Sequence, residues 1–446
     1  MTAHSKLPRA RAMSVAALCM LMSPPCWAGP LSADDARERL REAADGNLSA
    51  LADATAVLPA PWPLLAQARQ AAAQLHERQA ISLAEAFIAQ RGGGTCDTAL
   101  AQRVIADAAF AAADYARAAA AAQASLHVLA RCPADRDAVE GSQTLATLAA
   151  ALASAPPQRV QQYTPAPTAF ARDKVGLPRA SVLINGRAQE SVLDTGANLS
   201  VISASTAQRL GLQIGDEAAV GSSSRRTVAT RVAIADRLQL AGLDLRNVVF
   251  LVLDDAQLDM PVPGGYHIDA IIGFPVLRAM GRIRFGGDGQ LQPQPGAGAA
   301  DLPRNLALAG SDLFVDARIG GIEVPMHLDS GASSSSLSAH FARAHPQVLK
   351  GLAVTRQRLA GAGGSSERAV AQWPQVTAQI GGQRAMLPSL AVTLQDPTEV
   401  SVRNQGVLGW DVLAAFPAWT LDFDHMRLEL EGISTREAAT SVTTPL

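Results

Sequence analysis

The stretches "SVLDTGANLSVIS" (residues 191–203) and "MHLDSGASSSSLS" (residues 326–338) write one pattern twice. In each, apolar residues lead into an aspartate, then a hydroxyl residue, a glycine and an alanine. Asp194 and Asp329 stand 135 residues apart, and the turn signals Asn185-Gly186 and Gly320-Gly321 keep the same offset. Downstream, Ile271-Ile272-Gly273-Phe274 answers to Val407-Leu408-Gly409-Trp410, the glycines lying 79 and 80 residues after their aspartates. A lone Asp-Thr-Gly is most often a turn, because Asp and Gly favour turns and the hydroxyl bonds the local backbone. Two copies with matching punctuation imply two homologous lobes. Lobes of one fold pack about a pseudo-twofold axis, and residues repeated near that axis meet their twins.

Two carboxylates brought together in this way cannot both ionise comfortably; they share a proton and titrate as a pair. Such a pair suits hydrolysis of an unactivated amide, one carboxylate drawing a proton from water while its protonated partner polarises the carbonyl. The neighbours have corresponding work. Gly196 and Gly331 bring backbone N–H groups near the carboxylates, and Thr195 and Ser330 reach across the lobe interface to hold the two loops level. Ala197 and Ala332 leave room for substrate. His327, two residues before Asp329, shares its strand face and either lines a subsite or packs against the neighbouring strand.

The rest of the chain divides around these lobes. Short β-branched runs such as "VVFLVL" (residues 248–253) alternate with glycine turns from residue 175 onward, the signature of an all-β body. Its lobes are expected over residues 175–293 and 306–431, joined at 294–305 and followed by a tail at 432–446. Residues 29–155 read as a helical domain with a hairpin like a tetratricopeptide unit. Pro63 would open a helix running toward Arg78, and the proline-rich residues 156–174 read as a linker. Lys6, Arg9 and Arg11 before the apolar "AMSVAALCMLM", with Cys26-Trp27-Ala28 as a cleavage site, make residues 1–28 a signal peptide. The chain is therefore expected to be exported, periplasmic or secreted. In an oxidising compartment, Cys96 and Cys132, which bracket the helical hairpin, are expected to pair.

The formal net charge of −2 gives no nucleic-acid footprint, and beyond the first thirty residues no apolar run is long enough to span a bilayer. No metal-ligand spacing and no phosphate-cradling loop appears, so neither metal nor cofactor is expected.

The D-T-G-A and D-S-G-A motifs, each preceded by an apolar strand and followed by apolar-apolar-Gly, resemble those of the aspartic peptidases, most closely the retropepsin-like branch. The resemblance covers residues 175 to 431. It implies a double-lobed acid-protease β-barrel fold behind the helical domain, a cleft for an extended peptide, and Asp194 with Asp329 as catalytic dyad. Both lobes sit in one chain, as in pepsin-like enzymes, but the flap tyrosine of those enzymes is missing. Instead "VGSSSRR" with Gly221, and "AGAGGSS" with Gly361 and Gly363, are candidates for two flaps. An aspartic endopeptidase is the leading reading. Others left open are an inactive peptide-binding protein of the same fold and a glycosidase, whose carboxylates stand further apart. A last one makes the helical domain a partner-recruiting module.

Overall fold

The computed structural model describes residues 55–432, apart from 93, 133–135, 221–227, 261, 263, 299–300, 362–363 and 396–404, together with residues 35, 38, 40 and 51. The signal-peptide expectation and the tail beyond residue 432 lie outside the described residues, as do Gly221 and Gly363.

The described residues of the N-terminal unit include helices α1 (Trp62–Ala73), α2 (Glu77–Arg91), α3 (Thr98–Ala111), α4 (Tyr115–Leu129) and α5 (Arg136–Ala151). Pro63 does sit in the first turn of α1, where its missing N–H costs nothing. The helix stops at Ala73, however, short of the Arg78 expected from the sequence. Leu75 takes a left-handed conformation (φ 61°) and a second helix begins at Glu77. Asp114 caps α4 by accepting from the Arg117 N–H at 3.2 Å. Buried alanines, among them Ala101, Ala108, Ala118 and Ala122, keep the side chains between these helices small. Cys96 and Cys132 form a disulfide, with Cα atoms 5.7 Å apart, across the open end of the α3–α4 hairpin. Closing a loop with a sequence separation of 36 residues stabilises the unit by about 3–4 kcal/mol, chiefly by restricting the unfolded chain.

The β body has two lobes of one plan. In the first, strand Pro178–Ile184 turns at Asn185-Gly186, both with positive φ, into strand Arg187–Leu193. In the second, Asp312–Ile319 turns at Gly320-Gly321 into Ile322–Leu328. Asn-Gly and Gly-Gly suit such two-residue hairpins because both turn positions need a left-handed backbone. The apolar-apolar-Gly strands then slot in beside the strands that lead to the aspartates. Ala270–Ile272 runs parallel to Arg187–Leu193, and Gly406–Leu408 runs parallel to Ile322–Leu328. Leu193, Ile202 and Ile272 face the core in one lobe, as do Leu328, Leu337 and Leu408 in the other. The lobes join where Arg282–Gly286 pairs antiparallel with Ala418–Asp422, and Phe285 stacks on Trp419 with ring centroids 4.0 Å apart. Phe423 falls just after that strand.

The expected linker is a correction. Within residues 156–174, Arg159–Tyr163 pairs with strand Leu243–Leu253, and Thr168–Arg172 pairs with Pro178–Ile184 and Gln290–Pro293. The prolines lie between and around these strands, where no ladder N–H is needed.

The helical unit lies against both lobes. Helix α5 packs on strand Gln213–Val220, and α1 packs on strand Leu306–Ala309 of the second lobe. Arg278 of the first lobe pairs with Glu77 and donates to the Ala111 carbonyl at 3.3 Å, fixing the α3–α4 turn to the β body.

Candidate active site

The two acidic loops meet at the junction of the lobes, and their hydrogen bonds are reciprocal. The Thr195 hydroxyl donates to the Leu328 carbonyl at 2.8 Å and accepts from the Ser330 N–H at 3.0 Å. The Ser330 hydroxyl donates to the Leu193 carbonyl at 2.9 Å and accepts from the Thr195 N–H at 3.0 Å. Each hydroxyl is buried and uses both its donor and an acceptor site across the interface, so neither loop can slide without breaking bonds to the other. Behind them, the Asp194 N–H donates to the Ile272 carbonyl at 2.9 Å and the Asp329 N–H to the Leu408 carbonyl at 3.0 Å. The apolar-apolar-Gly strands therefore set the height of each acid.

The motif glycines act through close approach. Neither has a left-handed backbone, and a Cβ at Gly196 would lie 2.6 Å from Asp329 Cγ. One at Gly331 would lie 2.3 Å from Asp194 Oδ2. Each carboxylate is thus pressed against the opposite loop. Each also accepts from its own loop, the Gly196 N–H bonding Asp194 Oδ1 and the Gly331 N–H bonding Asp329 Oδ1, both at 2.8 Å.

Asp194 and Asp329 are each half-buried. Burial pushes Asp194 well above the ordinary carboxylate range; the Asp329 charge and the hydrogen bond between the two acids push it further. Burial also raises Asp329, but the bond from Asp194 and the N–H groups of Gly331 and Ala332 oppose it by favouring the ionised form. Burial thus raises both acids, and each feels the other's charge state.

Around this centre the structure arranges the other expected residues unequally. His327 is half-buried, with its ring centroid 5.8 Å from that of Phe314, and its Nε2 has no hydrogen-bond partner among the described residues. It also favours the ionised form of Asp194 electrostatically. Gly361 ends strand Val354–Gly361 and pairs with Gly364, so the second glycine-rich stretch is the tip of a long hairpin. The first, with Gly221, lies beyond Val220 outside the described residues; the strands before and after it, Gln213–Val220 and Val228–Leu240, pair antiparallel. Among the described residues, no group of three His, Cys, Asp or Glu is placed to hold a metal ion.

Sequence reading missed three supports. Ser200 accepts from the Gly273 N–H at 3.1 Å, and its counterpart Ser335 accepts from the Gly409 N–H at 2.9 Å. Ser335 is in turn held by Asp411, to which its hydroxyl donates at 2.5 Å and its N–H at 2.9 Å. Trp410 donates from Nε1 to the Ser330 carbonyl at 2.6 Å. The serines keep the same offset as the aspartates, a signal that was there to be read. Asp411 and Trp410 have no polar counterpart in the first lobe, so duplication could not flag them.

The model of the aspartyl protease family matches residues 180–276 and 315–412, one stretch in each lobe. Both lobes of the β body thus match the aspartyl protease family. The match supports a peptide hydrolase, with a helical N-terminal unit preceding a double-lobed acid-protease fold. Among solved structures the chain is similar to a retropepsin-like aspartic protease from Rickettsia conorii. Identity is 17%, over 30% of this chain and 91% of that one, with a TM-score of 0.20. No curated protein matches it.

Proposed function

We propose that the protein is an exported aspartic endopeptidase in which Asp194 and Asp329 activate water to cleave peptide bonds of an extended chain. Asp329, the ionised member, takes a proton from the water, whose oxygen bonds to the scissile carbonyl carbon. Asp194, the protonated member, hydrogen-bonds the carbonyl oxygen as it gains charge. A proton passed to the amide nitrogen then lets the C–N bond break, leaving a carboxyl and an amine terminus. Thr195, Gly196, Ser330 and Gly331 are positioning residues that hold the two acids against each other. His327 and the Gly361 hairpin border the cleft in this reading.

The observation that carries the proposal is the reciprocal Thr195–Ser330 bonding with each carboxylate against the opposite glycine, a geometry suited to one shared proton. The rate is expected to fall as pH rises through the raised value of Asp194, when the shared proton leaves. It should also fall at low pH, when Asp329 gains a second proton. Incubating the chain with a denatured protein mixture across acidic to neutral pH, and sequencing the new termini, tests this. Internal cleavage in the parent and none in Asp194→Asn is the expected result; equal cleavage by both rules the dyad out. The Cys96–Cys132 disulfide supports an oxidising compartment. A mature N-terminus near Gly29 is the corresponding expectation for export, read by mass spectrometry of the chain isolated from outside the cytoplasm.

A further inference from the structure

A cavity of about 240 Å³ opens at Asn198, the fourth residue after Asp194, and neither lobe forms it alone. The α3–α4 turn supplies one wall through Phe110, Ala112 and Tyr115, and the first lobe supplies another through Leu199. The second lobe closes it with Leu308 and Ser311. We propose that this cavity is a substrate subsite added to the cleft by the helical unit, admitting one large apolar side chain, such as Phe, Leu or Met. That side chain would belong to a peptide residue remote from the scissile bond on one side of it. The proposal deepens the hydrolytic reading and rests on it for the path of the peptide.

The physical argument has three parts. The lining fits the occupant. Phe110, Tyr115, Leu199 and Leu308 are buried and supply apolar wall. The charged Glu77 and Arg278 beside them are paired with each other, and Asp107 with Arg103. Asn198 and Ala112 are exposed and mark the mouth. Ligand pockets for drug-sized molecules start near about 300 Å³, so this volume suits a single side chain. The position fits as well, because Asn198 and Leu199 continue the segment that carries Asp194 past the cleft. A peptide in extended conformation presents alternate side chains to one face, so a residue beyond the scissile bond can be directed into the opening.

Lastly, the wall is built to stay. The ion pair of Arg278 with Glu77 and the bond from Arg278 to the Ala111 carbonyl hold the α3–α4 turn in place. The disulfide ties the far end of the same hairpin. The two ends of the cleft differ in this respect. The counterpart of the Leu308–Ser311 turn in the first lobe, residues 173–176, is occupied by that lobe's own side chains. Asp173 there accepts from Arg179 at 2.7 Å and from the Tyr266 hydroxyl at 2.5 Å.

The test uses a randomised undecapeptide pool and the full chain. The pool is cleaved by the parent and the products are sequenced; the same pool is captured on immobilised Asp194→Asn protein. In both, one position on a single side of the scissile bond is expected to favour Phe, Leu and Met over Gly by roughly 10- to 100-fold, the worth of burying one such side chain. Ala112→Trp, which fills the mouth from the helical side, and Ser311→Trp, which fills it from the second lobe, should each bring that ratio close to one. No apolar preference at any remote position in the parent, or a preference that survives both fillings, overturns the proposal. Apolar selection in capture, lost in both filled variants but without cleavage by the parent, upholds the subsite and refutes the hydrolytic reading instead.

Discussion

The two lobes carry the same motif, yet they hold it differently. At the centre the symmetry is close: Thr195 and Ser330 exchange equivalent bonds, and Gly196 and Gly331 each face the opposite carboxylate. One shell out it fails. In the first lobe a lone serine, Ser200, braces the Gly273 N–H. In the second, Ser335 is anchored by a carboxylate, and the Trp410 indole reaches back to the Ser330 carbonyl. The lesson is that what brings the two acids together is duplicated, whereas what makes their environments unequal comes from residues outside the repeat. Burial, the largest cause for both, raises each acid above the ordinary carboxylate range.

Breaking the symmetric centre should cost most. Asp194→Asn and Asp329→Asn are each expected to lower kcat/KM by at least roughly 10³-fold in a fluorogenic peptide assay, since each removes one half of the acid–base work. Activity surviving in either variant would mean the two acids are not one unit.

Substituting a motif glycine comes next. Gly196→Ala or Gly331→Ala drives a methyl into the opposing carboxylate, and overpacking of this kind costs about 1–3 kcal/mol. Chemical denaturation should show similar losses for the two variants, together with loss of cleavage. A large difference between them would show that one loop yields where the other does not.

The hydroxyl exchange should follow. Thr195→Val and Ser330→Ala each leave the opposing N–H and carbonyl without partners in a buried interface, at about 1–3 kcal/mol. Thr195→Ser, which keeps the hydroxyl, should recover most of the loss.

The asymmetric supports give the smallest effect and the sharpest contrast. Ser335→Ala strands the Gly409 N–H and removes a charge-assisted bond to Asp411, whereas Ser200→Ala strands only the Gly273 N–H. The first should cost about 1 kcal/mol more than the second in the same denaturation experiment. Equal losses would mean that the Asp411 carboxylate does not make the second lobe's brace the firmer of the two.

How much of this was legible in the sequence follows from the same distinction. The β lobes and the hairpins at Asn185-Gly186 and Gly320-Gly321 could be read because each feature occurs twice at a fixed offset. So could the meeting of the two motifs and the brackets of the disulfide. The strands within residues 156–174 could not. Their partners, among them strand Leu243–Leu253, are distant in the chain, and prolines between short runs look the same in a linker and at a sheet edge. The early end of α1 turns on the left-handed backbone at Leu75, which apolar periodicity does not register. Nor could the docking of helices on lobes be foreseen. The Arg278–Glu77 pair spans 201 residues, and no local pattern marks either partner.

The central claim is that Asp194 and Asp329 act as one unit that shares a proton. Titrating the carboxyl carbons of ¹³C-labelled protein by NMR, in the parent and in Asp329→Asn, tests it most directly. In the parent both carbons should respond together in two steps, the upper one well above the ordinary carboxylate range near about 4. In Asp329→Asn a single step should remain for Asp194, lower than the parent's upper step because the neighbouring charge is gone, yet still raised by burial. Two independent titrations at ordinary carboxylate values, unaltered by Asp329→Asn, would contradict the account.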